Sequence, residues 1–316
     1  MTERYQGFGC KELFNTLNIT PNELYHCCRG QGIKQRPVIS LFDGGLFALE
    51  PYLEKAIRLR DDNKRREGQC QSCLHLADGS YQAQFTGFSF VVFNHFTECN
   101  ARCFYCVYGT APIKRPLYNP LPMVRDLQKK GLLAPWVTFN IGGGEPSIHK
   151  YLPDILDFLL ENDYACSFCT NALVHSKAIA GFLRRKKNSL IISLDSGTEE
   201  GFKKVKGVDL FRKAAENVLR YSETGGLVKL KYIVTPYAAD EADIDGFVDP
   251  AARARAMVQI SPDNRRYNRS EPKYEPDYRD HLFTFATKLY KASIQHGLKT
   301  ELILLSAADA DKIRGL

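Results

Sequence analysis

Three cysteines, Cys99, Cys103 and Cys106, stand in the stretch NHFTECNARCFYCVYG, separated by three and then two residues. A loop that short can wrap its thiolates around one metal centre. Iron-sulfur cubanes normally take four cysteines, so three leave one iron open to an outside ligand. Zinc with His95 as its fourth ligand is the competing chemistry, and three unrelated buried thiols the bland alternative. Further along, IGGGEP (141–146) sets glycines before a carboxylate. Glycines let a ligand approach the backbone, and Glu145 can receive an ammonium group. A third group, Cys10, the adjacent Cys27 and Cys28, and the pair Cys70 and Cys73, can bring four thiolates to one site, as a cluster or as structural zinc. Adjacent strand residues point to opposite faces, so only one of Cys27 and Cys28 should bind. Cys166 and Cys169 repeat the Cys-x-x-Cys spacing, but inside a strand, where they cannot readily share a metal. Cys169 shares a face with Asn171 and is a candidate hydrogen-atom donor, or else a small buried hydrophobe.

The elements that must position these groups are legible as short apolar runs between amphipathic stretches. FSFVVFNH (88–95), WVTFNIG (136–142), YACSFCTNA (164–172), LIISLDS (190–196), VKLKYIVT (228–235) and AMVQISPD (256–263) each read as a buried parallel strand. Helical patterns fall at 152–162, 176–187, 207–223 and 276–297, the third with Asp209 as its N-cap. ELILL (301–305) is strand-like. Six strands alternating with helices predict an α/β architecture, a partial (β/α)6 barrel over residues 84–316. The cysteine loop and IGGGEP then fall at the carboxyl ends of its first two strands, where such folds place ligands. Residues 1–83 carry five of the ten cysteines and one helix-like stretch at 51–66. A segment that small needs a staple, and metal is one.

No apolar run approaches the ~20 residues of a membrane helix. MTERYQGFGCKELF has neither the apolar stretch nor the cleavage site of a signal peptide. These features predict a cytoplasmic protein, where ten cysteines argue for metal and not disulfides. Hydrophobic residues at 44% and charged residues at 25% exclude a disordered chain. The net charge of +7 suits an anionic substrate, or is simply a basic surface. The polar loop at 261–277 offers Arg265, Arg266, Arg269 and Lys273 as a substrate clamp, or is a solvated connector.

The cysteine loop with Tyr105 before its last cysteine, followed at the next strand by GGEP, resembles the radical S-adenosylmethionine superfamily over residues 88–263. The resemblance implies a 4Fe-4S cluster on Cys99, Cys103 and Cys106 and S-adenosylmethionine as cosubstrate. It implies that Tyr105 packs on the adenine side and that Gly143, Gly144 and Glu145 hold the methionine end. Asn171, beside Thr170, and Ser193 in SLDS would touch cosubstrate or substrate. It also implies an external one-electron donor such as flavodoxin or ferredoxin.

The first 75 residues resemble the SPASM and twitch auxiliary-cluster fold, with a cysteine before a hairpin ending in cysteine and a Cys-x-x-Cys pair after a helix. This implies a second 4Fe-4S cluster on Cys10, Cys27, Cys70 and Cys73, with Cys27 preferred to Cys28. It departs from that family in standing before the barrel. The expected activity is reductive cleavage of S-adenosylmethionine, then hydrogen abstraction from a polar, sugar-like or other small metabolite. A peptide maturase is the second reading. An RNA-modification factor with an amino-terminal zinc ribbon is the third, although nucleic acid is not the expected partner.

Overall fold

The structure is a computed structural model. It describes residues 3–21, 23–27, 38–41, 47–68, 70, 76–106, 108, 118–238, 240–263 and 276–315. Cys28, Cys73 and the four basic residues of the 261–277 loop lie outside them. The chain forms two compact units. One comprises Met1–Glu98, Ile113–Gly144 and Pro153–Cys166, and the other Cys99–Pro112, Glu145–Leu152 and Ser167–Leu316.

In the first unit, β1 (Arg4–Gly9) pairs antiparallel with β5 (Ala77–Gln82). A second sheet is built from β2 (Thr16–Ile19), β3 (Glu23–Tyr25), β4 (Val38–Leu41), β6 (Phe88–Phe93) and β7 (Leu133–Ile141). β6 runs parallel to β7 and to β2, while β2, β3 and β4 pair antiparallel. Helices α1 (Leu49–Lys64), α2 (Leu121–Lys129) and α3 (Leu152–Glu161) belong here. Aromatic packing holds α1 in place, with Tyr52 and Phe47 meeting the buried ring of Phe88 at 5.0 and 5.6 Å between centroids. Burying such a side chain fully contributes about 1.5–3 kcal/mol.

The second unit holds β8 (Ala165–Thr170), β9 (Ser189–Ser193), β10 (Leu227–Val234), β11 (Met257–Pro262) and β12 (Thr300–Leu302), every recorded pair parallel. Between and after them run α4 (Lys177–Leu183), α5 (Glu199–Lys206), α6 (Phe211–Ser222), α7 (Glu241–Arg253), α8 (Pro276–Gln295) and α9 (Ala307–Arg314). The expected α/β class is therefore what the chain has, with the six strands expected from the sequence in place.

Two local expectations need correction. The helix over 207–223 starts at Phe211, and its N-cap position is Leu210, without a side-chain cap. Gly207 instead ends a separate helix that lies outside the expected stretches. α5 is capped by Thr198, whose hydroxyl accepts from Gly201 N, and closes at Gly207 in the left-handed conformation (φ 67°). Asp209 pairs with Lys203 at the surface (3.3 Å). Among the described residues, no helix is long and apolar enough to cross a membrane.

Candidate functional site

The site of the second unit is assembled from strand ends. Glu145 is buried, and its carboxylate accepts hydrogen bonds from Ser147 N (3.0 Å), Thr170 Oγ1 (2.6 Å) and Asn171 N (2.8 Å). No ion pair of this carboxylate is recorded among the described residues. Asn171 also donates through Nδ2 to Asn100 Oδ1 (2.8 Å) and to Cys99 Sγ (3.5 Å). One residue at the end of β8 thus ties the sheltered carboxylate to the cysteine loop. Asn217 Nδ2 donates to Ala172 O, holding the backbone where Ala172 adopts φ 56°. An alanine in that region costs on the order of 1–2 kcal/mol, so the turn is held by its surroundings.

The cysteine loop is clamped to the end of α5. Arg102 N and Phe104 N donate to the carbonyls of Lys206 and Val205, which the helix leaves unpaired at its last turn. A Cβ on Gly207 would come 2.9 Å from Arg102 O, so the close approach requires glycine. Inside the clamp, Lys206 Nζ donates to Asp195 Oδ2 (2.5 Å) and to Tyr105 Oη (2.9 Å), and Tyr105 Oη donates to Asp195 Oδ2 (2.5 Å). Lys206 and Asp195 are 1% and 0% exposed. Asp195 sits at φ 59°, a conformation aspartate tolerates, and its other oxygen accepts from Ile233 N (2.8 Å).

Asp243 braces the same turn from α7, accepting from Ser196 Oγ (2.8 Å), Gly197 N (2.5 Å) and Tyr232 Oη. Burial alone would depress Lys206, but Asp195 and the thiols of Cys103 and Cys99 outweigh it and hold the ammonium above its usual range. Burial raises Tyr105 well above an ordinary phenol, and Asp195 adds to this.

The thiols themselves are desolvated. Burial pushes Cys99 up to about 11, although the residue as a whole keeps contact with solvent. Cys103 is raised for the same reason, with Lys206 pulling the other way. Cys99 and Cys103 stand near a fixed cation on a loop fastened at both backbone and side chain, and with Cys106 they offer the thiol chemistry an iron-sulfur cluster takes, although no group of three ligands stands in metal-holding geometry among the described residues. Binding iron deprotonates them, which the desolvated loop alone opposes and Lys206 favours.

Gly143 and Gly144 lie in the first unit, where they admit the chain that follows β6. A Cβ on Gly143 would come 2.6 Å from Phe96 O, and one on Gly144 would collide with the carbonyl of Glu98. His95 is buried against the rings of Phe93, Phe96 and Tyr118. Ser193 is half-buried on β9 beside Lys231 of β10. Cys169 is half-buried and Cys166 buried on β8. At the amino-terminal end, Cys10, Cys27 and Cys70 are each half-buried, and a hairpin of β2 and β3 separates the first two. Lys206 was missed by sequence reasoning. Its signal was a lysine at the last position of a capped helix whose first turn is acidic.

Residues 93–246, which contain the cysteine loop, Glu145, Asn171, Asp195 and Lys206, match the family model of the Radical SAM superfamily. Among curated proteins, it is 27% identical over 169 residues to the probable GTP 3',8-cyclase of Methanococcus vannielii, covering 52% of this chain and 54% of the other. It is 24% identical over 168 residues to the mycofactocin maturase MftC of Mycolicibacterium smegmatis, covering 52% and 41%. The chain thus spans about half the length of the curated relatives it matches. Among solved structures, SuiB of Streptococcus suis bound to S-adenosylmethionine superposes with a TM-score of 0.52 at 16% identity, covering 81% of this chain and 56% of that one. SuiB bound to its precursor peptide SuiA gives the same score at 15% identity, covering 84% and 57%. That likeness establishes the fold, an α/β architecture of the partial-barrel kind.

Proposed function

We propose that the chain is a radical S-adenosylmethionine enzyme with its cluster on Cys99, Cys103 and Cys106, acting on a polar substrate. The observation that carries this reading is the bridge through Asn171, whose backbone serves Glu145 while its side chain serves the cysteine loop. A buried carboxylate with three donors has lone pairs left for an ammonium group, and the α-amino group of S-adenosylmethionine is one. When bound, the cluster supplies the electron that cleaves the sulfonium to methionine and a 5′-deoxyadenosyl radical, which takes hydrogen from the substrate.

The chain's own residues do the rest. Glu145 holds the ammonium end, with Thr170 and Asn171 fixing its orientation. Tyr105, Asp195 and Lys206 anchor the loop, and Lys206 favours thiolate at Cys103. Ser193 and Cys169 face the substrate side, Cys169 as a candidate hydrogen donor. A second cluster on Cys10, Cys27, Cys70 and Cys73, within an amino-terminal auxiliary domain of residues 1–83, completes the proposal. Its support is the cysteine, hairpin, cysteine, helix, cysteine order along the chain. A cytoplasmic setting and a one-electron donor of the flavodoxin or ferredoxin type go with it.

The test is direct. Anaerobically reconstituted, reduced protein should convert S-adenosylmethionine to 5′-deoxyadenosine and methionine. Glu145→Gln should weaken cosubstrate binding by about 2–5 kcal/mol, because a desolvated ammonium loses its charged partner. Unchanged affinity in that variant would refute the role given to Glu145.

A further inference from the structure

The sheet of the second unit has two unlike faces. Helices α7 and α8 cover the one that carries Tyr232, whose ring meets Phe247 and Phe285 at 5.0 and 5.1 Å. On the opposite face, register places Ser193, Lys231, Gln259 and Glu301 side by side across β9 to β12. The row before it is Ile191, Lys229 and Met257, and the row after it pairs Ile233 with Ser261. Apolar side chains dominate the helix-covered face, whereas this one is polar in its middle.

The polar groups are only partly satisfied by one another. Lys229 Nζ pairs with Glu301 Oε2 (3.2 Å), and Gln259 Nε2 donates to the same oxygen (2.8 Å). A carboxylate can face only the amide nitrogen, so the orientation of Gln259 is fixed. Its Oε1 is left buried without a hydrogen-bond partner among the described residues. Ser261 Oγ is in the same condition, in a residue 1% exposed. No ion pair of Lys231 is recorded among the described residues either. A buried polar atom without a protein partner loses its hydration unless an ordered water, an ion or a ligand completes it. Lys229 pairs with Glu301, on which Lys299 also acts, so Lys231 is the lysine of this row left for an outside carboxylate. Ser193 of this row stands two residues before Asp195, the aspartate to which Tyr105 ties the cysteine loop.

Building on the function proposed above, we infer that this face binds the substrate through a single carboxylate on Lys231 and a neighbouring N–H or O–H donated to Gln259 Oε1, with Ser261 as a further partner. One lysine balances one carboxylate. A triphosphate would call for several cations or for the forked donors of arginine. The same chemistry is presented by an acidic residue of a peptide and by a free hydroxy acid.

The test uses iron-loaded wild-type protein and three probes: N-acetyl-L-glutamate α-amide as a capped glutamyl residue, L-lactate as a hydroxy acid with one carboxylate, and inorganic triphosphate. Calorimetric titration should register a carboxylate probe, with Kd at least tenfold weaker in Lys231→Met and Gln259→Met, and retained in Lys231→Arg. Binding of the capped glutamyl amide alone identifies a peptide source, and binding of lactate alone a free hydroxy acid. Melting of Lys231→Met should occur at or above the wild-type temperature, since no ion pair of Lys231 within the fold is lost.

Absence of carboxylate binding, triphosphate binding that depends on Lys231, or a clear fall in melting temperature in Lys231→Met would overturn the inference. The same wild-type preparation is assayed for iron and for 5′-deoxyadenosine. If it makes 5′-deoxyadenosine but binds no carboxylate, this inference fails alone. If it holds no iron, the function proposed above fails instead.

Discussion

In the loop at residues 99–106, the thiols are positioned by groups that are not cysteines. Asn171 reaches Cys99, α5 receives the backbone of Arg102 and Phe104, and the buried trio of Tyr105, Asp195 and Lys206 pins the loop's far end. Near the amino terminus, the cysteines follow the ends of regular elements instead. Cys10 comes after β1, Cys27 after β3 and Cys70 after α1. Cys10 Sγ accepts from Glu12 N (3.4 Å) and sits near enough to Tyr5 and Tyr81 to raise both phenols, after burial itself. The contrast teaches that the loop at 99–106 is held in place by the fold itself, whereas any shared geometry of the amino-terminal cysteines would have to come from a bound metal.

The strongest way to break this contrast is to count metal. Reconstituted protein should hold about eight irons, two clusters of four. Replacing Cys99, Cys103 and Cys106 together by alanine should remove about half of them and leave the fold intact. Replacing Cys10, Cys27, Cys70 and Cys73 should remove the other half and open the first 83 residues to limited proteolysis. About four irons plus one zinc would replace the auxiliary cluster with a structural zinc site, and proteolytic resistance after the fourfold change would erase the contrast.

A sharper probe of the preformed side is Lys206→Met, which strands Asp195 without its cation in a fully buried position. Breaking one partner of a buried pair costs about 3–5 kcal/mol, read as a fall in the urea midpoint at unchanged slope. The double change Lys206→Met with Asp195→Asn should recover much of that loss, since the charge left behind is what costs most. A loss below about 1 kcal/mol in the single variant would mean that the trio does not hold the loop.

What was legible in the sequence follows from periodicity and spacing. The six barrel strands were readable because each is a short apolar run bounded by turn residues, too short for a buried helix and of the length a buried strand needs. The cysteine loop and IGGGEP were readable because their residue types imply chemistry wherever they stand. Lys206 was hidden because its importance comes from Asp195, eleven positions away, through a helix that the apolar pattern did not reveal. Yet Thr198 before Glu199 and Glu200 was a standard helix start. The substrate face was half visible. VKLK in β10 alternates with period two, which marks one face as polar, but read as a wholly buried strand it lost that information. The parallel pairing of β2 with β6 was not legible, because TLNI is too short for any period. Which thiols share a metal near the amino terminus was equally beyond reach, since that depends on chain paths between distant elements.

The smallest expected effect comes from the pair that shares the spacing of Cys103 and Cys106 but not their element. Cys166 and Cys169 lie on β8, where a separation of three puts side chains on opposite faces. Their exposure agrees, Cys166 being 1% exposed and Cys169 half-buried. In a loop, the same spacing lets two thiolates converge; in a strand, the backbone holds them apart. Alanine at either position should therefore leave the iron count unchanged. Stability should separate the two, Cys166→Ala costing about 1 kcal/mol for the buried sulfur and Cys169→Ala close to nothing. Loss of iron from either variant would mean that β8 takes part in metal binding, and that element type does not decide which Cys-x-x-Cys pairs of this chain are ligands.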